Sequence, residues 1–162
     1  MTAPHLPAAP GSYVLVLAAS APATVTVGRL GEMEVAPGWY LYTGSALGGG
    51  GLAGRLRHHL RPVVRPHWHI DYLRQVAVLR AIWYVVDAVR WEHGLAGLLG
   101  RMAAPVPCAG FGASDCSCAT HAFYRETEPA CDELAALAVV ASVQLPPLHC
   151  AALPGLGSPP LR

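Results

Sequence analysis

Short apolar runs alternate with polar and glycine-rich breaks along the chain, and their spacing predicts its elements. Tyr13-Val14-Leu15-Val16-Leu17 is rich in β-branched and aromatic residues, which predicts a strand. Thr24-Val25-Thr26-Val27 and Glu32-Met33-Glu34-Val35 alternate polar with apolar positions, the period of a half-buried strand. Pro37-Gly38 then makes a turn, and Trp39-Tyr40-Leu41-Tyr42-Thr43 predicts a strand that pairs with the first. Gly48 to Gly51 are four consecutive glycines, expected to be a flexible connector.

The period changes after that connector. Leucines at 52, 56 and 60 recur every four residues, so Leu52 to Leu60 is expected to be a helix, with Arg55, Arg57, His58 and His59 on its other faces. Pro62 and Pro66 end it, and His69 to Leu73 makes a short helix. Val76 to Val86 is the most β-like run in the chain. Asp87, or a residue just beyond it, caps a helix from Val89 to Met102 that turns Leu95, Leu98 and Leu99 inward. A loop from Pro105 to Thr120 is dense in glycine, cysteine and proline, and Ala130 to Val143 is a last helix. This order gives an α/β (α+β) fold: one small central antiparallel or mixed sheet flanked by helices. Residues 1–10 are read as a flexible leader, 11–145 as the domain with its Cys/His loop and final helix, and 146–162 as a disordered tail rich in proline and glycine.

Composition narrows the function only a little. At 162 residues the chain is long enough for one cored domain, and 53% hydrophobic with 13% charged residues excludes a disordered chain. All 11 basic residues are arginine, and the formal net charge of +1 gives no global field for a polyanion. Phosphate attraction must then come from a local cluster. No run is long enough to cross a bilayer and the N-terminus has no secretory pattern, so a cytoplasmic protein is expected. In that compartment the five cysteines are expected to be free thiols or metal ligands.

Several chemically able residues recur where strand meets helix. Tyr13 follows Gly11-Ser12, and Tyr42 runs through Thr43 into Gly44-Ser45. Arg55 and His59 stand one helical turn apart, and Glu92 lies in the first turn of the helix after the strongest strand. Taken singly these are ordinary: strand-end tyrosines are commonly core residues with one wet hydroxyl, and a first-turn glutamate is favoured by the helix dipole alone. Their order and spacing together resemble the GIY-YIG endonuclease family, with Gly11-Ser12-Tyr13 as the first signature and Tyr42-Thr43-Gly44 as the second. Leu52, Arg55 and His59 resemble that family's arginine helix, and Glu92 its metal-binding glutamate. His67-Trp68-His69-Ile70-Asp71-Tyr72 and Gly110-Phe111-Gly112-Ala113-Ser114-Asp115-Cys116-Ser117-Cys118 are similar to a subgroup labelled as a domain of unknown function (DUF123-like).

The resemblance implies a GIY-YIG-like fold and a metal-dependent endonuclease that hydrolyses nucleic-acid phosphodiester bonds, with DNA favoured over RNA and RNA left open. Glu92 would hold Mg²⁺ or Mn²⁺, since magnesium takes few protein ligands and keeps its waters. Arg55 would present a planar fork to the phosphate, Tyr13 would act as base with His59 assisting, and Tyr42 would orient water or phosphate. Gly44, Ser45, Arg57, His67 and His69 complete the nucleic-acid-binding set. Cys116, Cys118 and His121 form a C-x-C-x-x-H cluster that suits Zn²⁺, with Cys108, His67 or His69 as a fourth ligand; the plainer expectation is a loop whose small residues pack under the sheet, with Ser114 and Asp115 capping its turns. The alternative is a non-catalytic nucleic-acid-binding or DNA-repair accessory module on the same fold, stabilised by zinc and joined to a repair protein. A third option is a free-standing zinc protein whose cysteine loop is the working site.

Overall fold

The computed structural model describes residues 4–153 of the chain. Its centre is β1 (Gly11–Ala19), whose nine residues are buried almost throughout. A strand buried on both faces needs a neighbour on each edge and a layer on each side. β4 (Gly38–Ala46) pairs antiparallel on one edge and β5 (Val78–Val86) on the other. With three short strands, β6 (Ala104–Pro105), β7 (Ala122–Arg125) and β8 (His149–Ala152), they form a six-stranded antiparallel sheet in the order β6-β7-β4-β1-β5-β8. β2 (Ala23–Thr26) and β3 (Glu32–Val35) make a separate ribbon joined by a 3₁₀ turn.

Alternation along β1 divides the core in two. Tyr13, Leu15 and Leu17 face a layer made by α1 (Gly51–Leu60), α2 (His69–Leu73) and the β2-β3 ribbon, where Leu52, Leu56, Ile70, Leu73 and Met33 are buried. Val14 and Val16 face α3 (Glu92–Leu99) and α4 (Cys131–Val140), against Leu95, Leu98, Leu99 and Leu134. The result is a mixed α/β fold of three layers with four helices flanking the sheet. No helix of the described residues is long and apolar enough to cross a membrane.

Two polar anchors fix the helices that face the site. Buried Ser12 Oγ accepts the backbone N–H of Trp91 at 2.9 Å, tying the start of α3 to β1. Asp71, fully buried on α2, accepts the backbone N–H groups of His67 and Trp68 at 3.0 Å each and meets His58 Nε2 at 3.2 Å and Arg74 Nη1 at 3.5 Å. Burial alone would push its carboxyl upward, but those two backbone donors and His58 outweigh it and hold Asp71 below the ordinary carboxylate range. Asp71 thereby locks the segment 67–69 onto α1.

The structure departs from the sequence reading at both ends. The leader is docked: the carbonyls of Ala9 and Pro7 accept the N–H groups of Leu52 and Ala53 at 2.9 Å, filling donors that the first turn of α1 cannot satisfy itself. Only Met1 to Ala3 of it lie outside the described residues. The tail expected to be disordered contributes β8, and its Cys150 forms a disulfide with Cys131 of α4. Residues 154–162 lie outside the described residues. Cys108, Cys116 and Cys118 are free thiols, so the expectation of unpaired cysteines holds for three of the five. α3 starts at Glu92 rather than Val89, because Asp87 accepts the Val89 N–H and the Trp91 indole N–H and builds a turn there instead of a cap.

Two outcomes follow. Asp71→Asn should lower the unfolding free energy by about 2–4 kcal/mol near neutral pH, since charged hydrogen bonds to a buried group are lost. Because the folded-state pKa of Asp71 is depressed, its contribution is complete above the ordinary carboxylate range and is lost as pH falls through that range toward the folded value. Denaturant unfolding across pH should therefore show parent and variant converging in acid; a constant gap would contradict the assignment. Cys150→Ser should cost about 3 kcal/mol, the expectation for opening a loop of 19 residues. Equal stability of that variant and the oxidised parent would count against a stabilising role for the disulfide.

Candidate active site and metal-ligand cluster

Where β1 and β4 end beside α1 and α3, the side chains enclose a cleft of about 290 Å³. β1 supplies Tyr13, β4 supplies Tyr42, Gly44 and Ser45, and α1 supplies Arg55 and His59. His67, Trp68 and His69 close one wall, while Arg90, Glu92 and His93 close another. The loop before β7 adds Gly112, Ser114, Asp115, Cys116 and His121. α3 packs on the opposite face of the sheet from α1, yet Glu92 at its first turn reaches round the strand ends into the same space.

Glycine makes the room. A Cβ on Gly44 would sit 2.6 Å from the Tyr13 ring carbon Cζ, so any side chain there displaces the hydroxyl. Gly112 has φ of +70°, and a Cβ there would lie 2.7 Å from the Tyr42 ring. Its N–H donates to His69 Nδ1 at 2.9 Å, which leaves the proton of that neutral ring on Nε2. Burial lowers the pKa of His69 and keeps the ring neutral.

Tyr13 and His59 form a buried pair, with Tyr13 Oη 2.9 Å from His59 Nε2. His59 Nδ1 has no hydrogen-bond partner among the described residues. A bare acceptor nitrogen is cheaper to bury than an unpaired N–H, so we assign the proton to Nε2, from which it donates to Tyr13. Burial, aided by Arg74 and His58, pushes the His59 pKa down to about 3, and the ring is neutral. Burial also drives Tyr13 well above its ordinary value; Tyr42 and Glu92 add to this and Arg55 opposes it. Tyr42 is raised by burial first and by Glu92 second. Arg55 stacks on Trp68, its guanidinium carbon 4.7 Å from the ring centre, and no carboxylate pairs with it among the described residues.

Glu92 brings a carboxylate into the cleft from the first turn of α3. Its Oε1 is 3.3 Å from Nδ1 of buried His121, and its Oε2 is 4.0 Å from Arg90 Nη1. Burial would raise its pKa, but His121, the Ser45 hydroxyl and Arg90 outweigh it and hold the carboxylate ionised. On the other side of His121, Nε2 lies 3.4 Å from Cys116 Sγ. One candidate ligand atom from each of His93, Cys116, Cys118 and His121 lies within 4.8 Å of every other.

Of the residues named from sequence, Tyr13, Tyr42, Gly44, Ser45, Arg55, His59, His67, His69, Glu92, Cys116 and His121 all line this cleft. Arg57 does not; it is exposed on the outer face of α1, because its position is two residues from Arg55 and two from His59. Cys118 stands behind the wall with Cys116. Cys108, offered as a fourth metal ligand, is instead buried in the core with Val106 and Phe111, and His67 and His69 stand outside the group. His93 takes that place. Sequence reasoning also missed Trp68, Arg90 and Gly112 as wall residues; His93 was signalled only by its adjacency to Glu92.

The family described as "Domain of unknown function DUF123" matches residues 12–143. No curated protein and no solved structure matches the chain. The matched span runs from the second residue of β1 to beyond α4 and includes every cleft residue named above. The chain therefore belongs to the DUF123 family, a domain of unknown function.

Proposed function

We propose that this protein is a metal-dependent endonuclease that hydrolyses phosphodiester bonds, with DNA favoured over RNA. One observation carries the reading: Tyr13, Tyr42, Arg55, His59 and Glu92, drawn from β1, β4, α1 and α3, line one cleft. The grouping supports the reading because the two tyrosine motifs and the arginine helix of the chain resemble those of the GIY-YIG nucleases.

The residues fit a hard divalent ion. Glu92 is ionised, 13% exposed at the cleft wall, and its Oε2 lies 4.0 Å from Arg90 Nη1. A carboxylate oxygen accepts more than one partner, so capacity remains for a cation. Bound there, Mg²⁺ or Mn²⁺ supplies charge relief for the phosphoryl oxygens. Arg55, held over the Trp68 ring, offers its fork to the phosphate and loses little entropy in doing so. Tyr13 is the base: the N–H of His59 supports negative charge on its oxygen, and Arg55 favours the same form. Burial first, then Tyr42 and the Glu92 charge oppose it, and a cation at Glu92 would remove one part of that opposition. His69 Nε2–H and the Tyr42 hydroxyl hold the oxygens that surround the scissile bond. Arg55 and Arg90 against Glu92 and Asp115 leave the cleft walls close to electrically balanced, which predicts modest affinity or a partner protein that supplies the grip.

With duplex, branched and single-stranded DNA and RNA as substrates, the parent should cut only with Mg²⁺ or Mn²⁺. Glu92→Gln should reduce cutting by at least about 100-fold while nucleic-acid affinity changes little, because the amide keeps the volume and loses the charge. Arg55→Ala should weaken both. A parent that binds but never cuts, or a Glu92→Gln variant as fast as the parent, would establish the non-catalytic binding module instead. Gly44→Ala gives an independent check of Tyr13. Its methyl group moves the hydroxyl, and displacement of a reacting group by about 1 Å costs about 100-fold in rate, with affinity and circular dichroism unchanged. Full activity in Gly44→Ala would remove Tyr13 from the mechanism.

A further inference from the structure

Residues 106–121 run between β6 and β7 with no helix or strand, an uncommon length of plain loop for a packed domain. Something must hold it. Backbone bonds fasten its far end: His121 N–H donates to the Phe111 carbonyl at 2.7 Å, and the His121 carbonyl accepts from Thr43 at 3.0 Å. Between those points Cys116 and Cys118 turn toward α3, where His93 stands one residue after Glu92.

We infer that His93, Cys116, Cys118 and His121 hold a tetrahedral zinc ion that clamps this loop to the first turn of α3. Two thiolates and two imidazoles are a donor set that selects zinc over magnesium, and four protein ligands close the shell as in a structural site. A zinc shell of that composition has edges of roughly 3.3–3.8 Å. The Cys116 Sγ to His121 Nε2 distance of 3.4 Å is already such an edge. The widest separation in the group is at most 4.8 Å, so closing the shell draws ligands inward by about 1 Å.

The second ring nitrogen of His121 supplies an independent sign. Its Nδ1 lies 3.3 Å from Glu92 Oε1 without a formed hydrogen bond, which leaves the carboxylate placed to back the ring once Nε2 is taken by a metal. A neighbouring group, His58, His59 and Asp71, also brings its candidate ligand atoms together, but Asp71 is already occupied by four donors. Zinc with two thiolates is neutral overall, so it orients Glu92 through His121 without cancelling the Glu92 charge. The zinc site does not rest on the nuclease reading.

The test uses the full chain, purified under reductant, stripped with chelator and reconstituted with zinc or cobalt alone. Expected are one zinc per chain by elemental analysis, cobalt absorption bands of a tetrahedral thiolate site, and a rise in Tm on the order of 10 °C on zinc addition. Cys116→Ser and Cys118→Ser should lose the metal, and His93→Ala should weaken binding at least about 100-fold while keeping the thiolate-to-cobalt band. Cys108→Ser, outside the group, should retain full stoichiometry. A reduced parent that takes up no zinc overturns the proposal, as does a Cys108→Ser variant that loses metal as completely as Cys116→Ser. Metal content and Tm are read without substrate, so a protein that binds zinc and cuts nothing would separate this site from the proposed activity.

Discussion

The register of β1 against β4 is the constraint from which the cleft is built. It sets Tyr13 opposite Gly44 and Leu15 opposite Tyr42. Because side chains alternate across a sheet, a slip of β1 by one residue would send Tyr13 to the α3 face and part it from Tyr42. That slip is forbidden by burial: the residues between them, Val14, Val16 and Leu41, fill the core against α3 and α4. Hydrophobic packing on one side of the sheet thus fixes polar chemistry on the other. Gly44 is the place where the two demands meet, since only a residue without a side chain leaves Tyr13 its position.

Much of this was legible in the sequence, for identifiable reasons. β1, β4, β5, α1 and α4 carry their own period and were read close to their observed bounds. β7 and β8 were missed because four-residue strands have no period to speak of; each exists by pairing with a longer strand far away in the chain, β4 or β5. The cleft residues on β1, β4 and α1 could be named because motif order reports them. Trp68, Arg90 and Gly112 could not, for their roles depend on how loops fold over the strand ends. His93 and Cys108 show the same limit: spacing marks which residues can ligate, and only packing decides that Cys108 points into the core and His93 does not.

Desolvation sets the resting charge of the cleft. Burial raises both tyrosines and lowers His59, so all three are neutral. The carboxylates whose pKa is depressed here, Glu92 in the cleft and Asp71 behind its wall, are ones given several donors each. Proteins commonly tune such sites with lysine; this chain has none, and its cations are guanidiniums that do not titrate. The protonation state of the cleft is therefore governed by its carboxylates and by whatever charge enters.

The disulfide has a consequence beyond the energy of one cross-link. An open sheet has two free rims, and unpaired backbone along a rim invites another chain to add a strand. On one rim the device is β6, two residues long and ending in Pro105, which has no N–H to offer. On the other rim the long strand β5 is covered by β8, and β8 is tethered to α4 through Cys131 and Cys150. The first protection is permanent and the second is chemical. Reduction removes the tether and leaves β8 held only by its pairing with Ala81 to Tyr84, a stretch that is strongly β-forming. Of the two rims, the one along β5 is thus the one whose cover carries a reducible link.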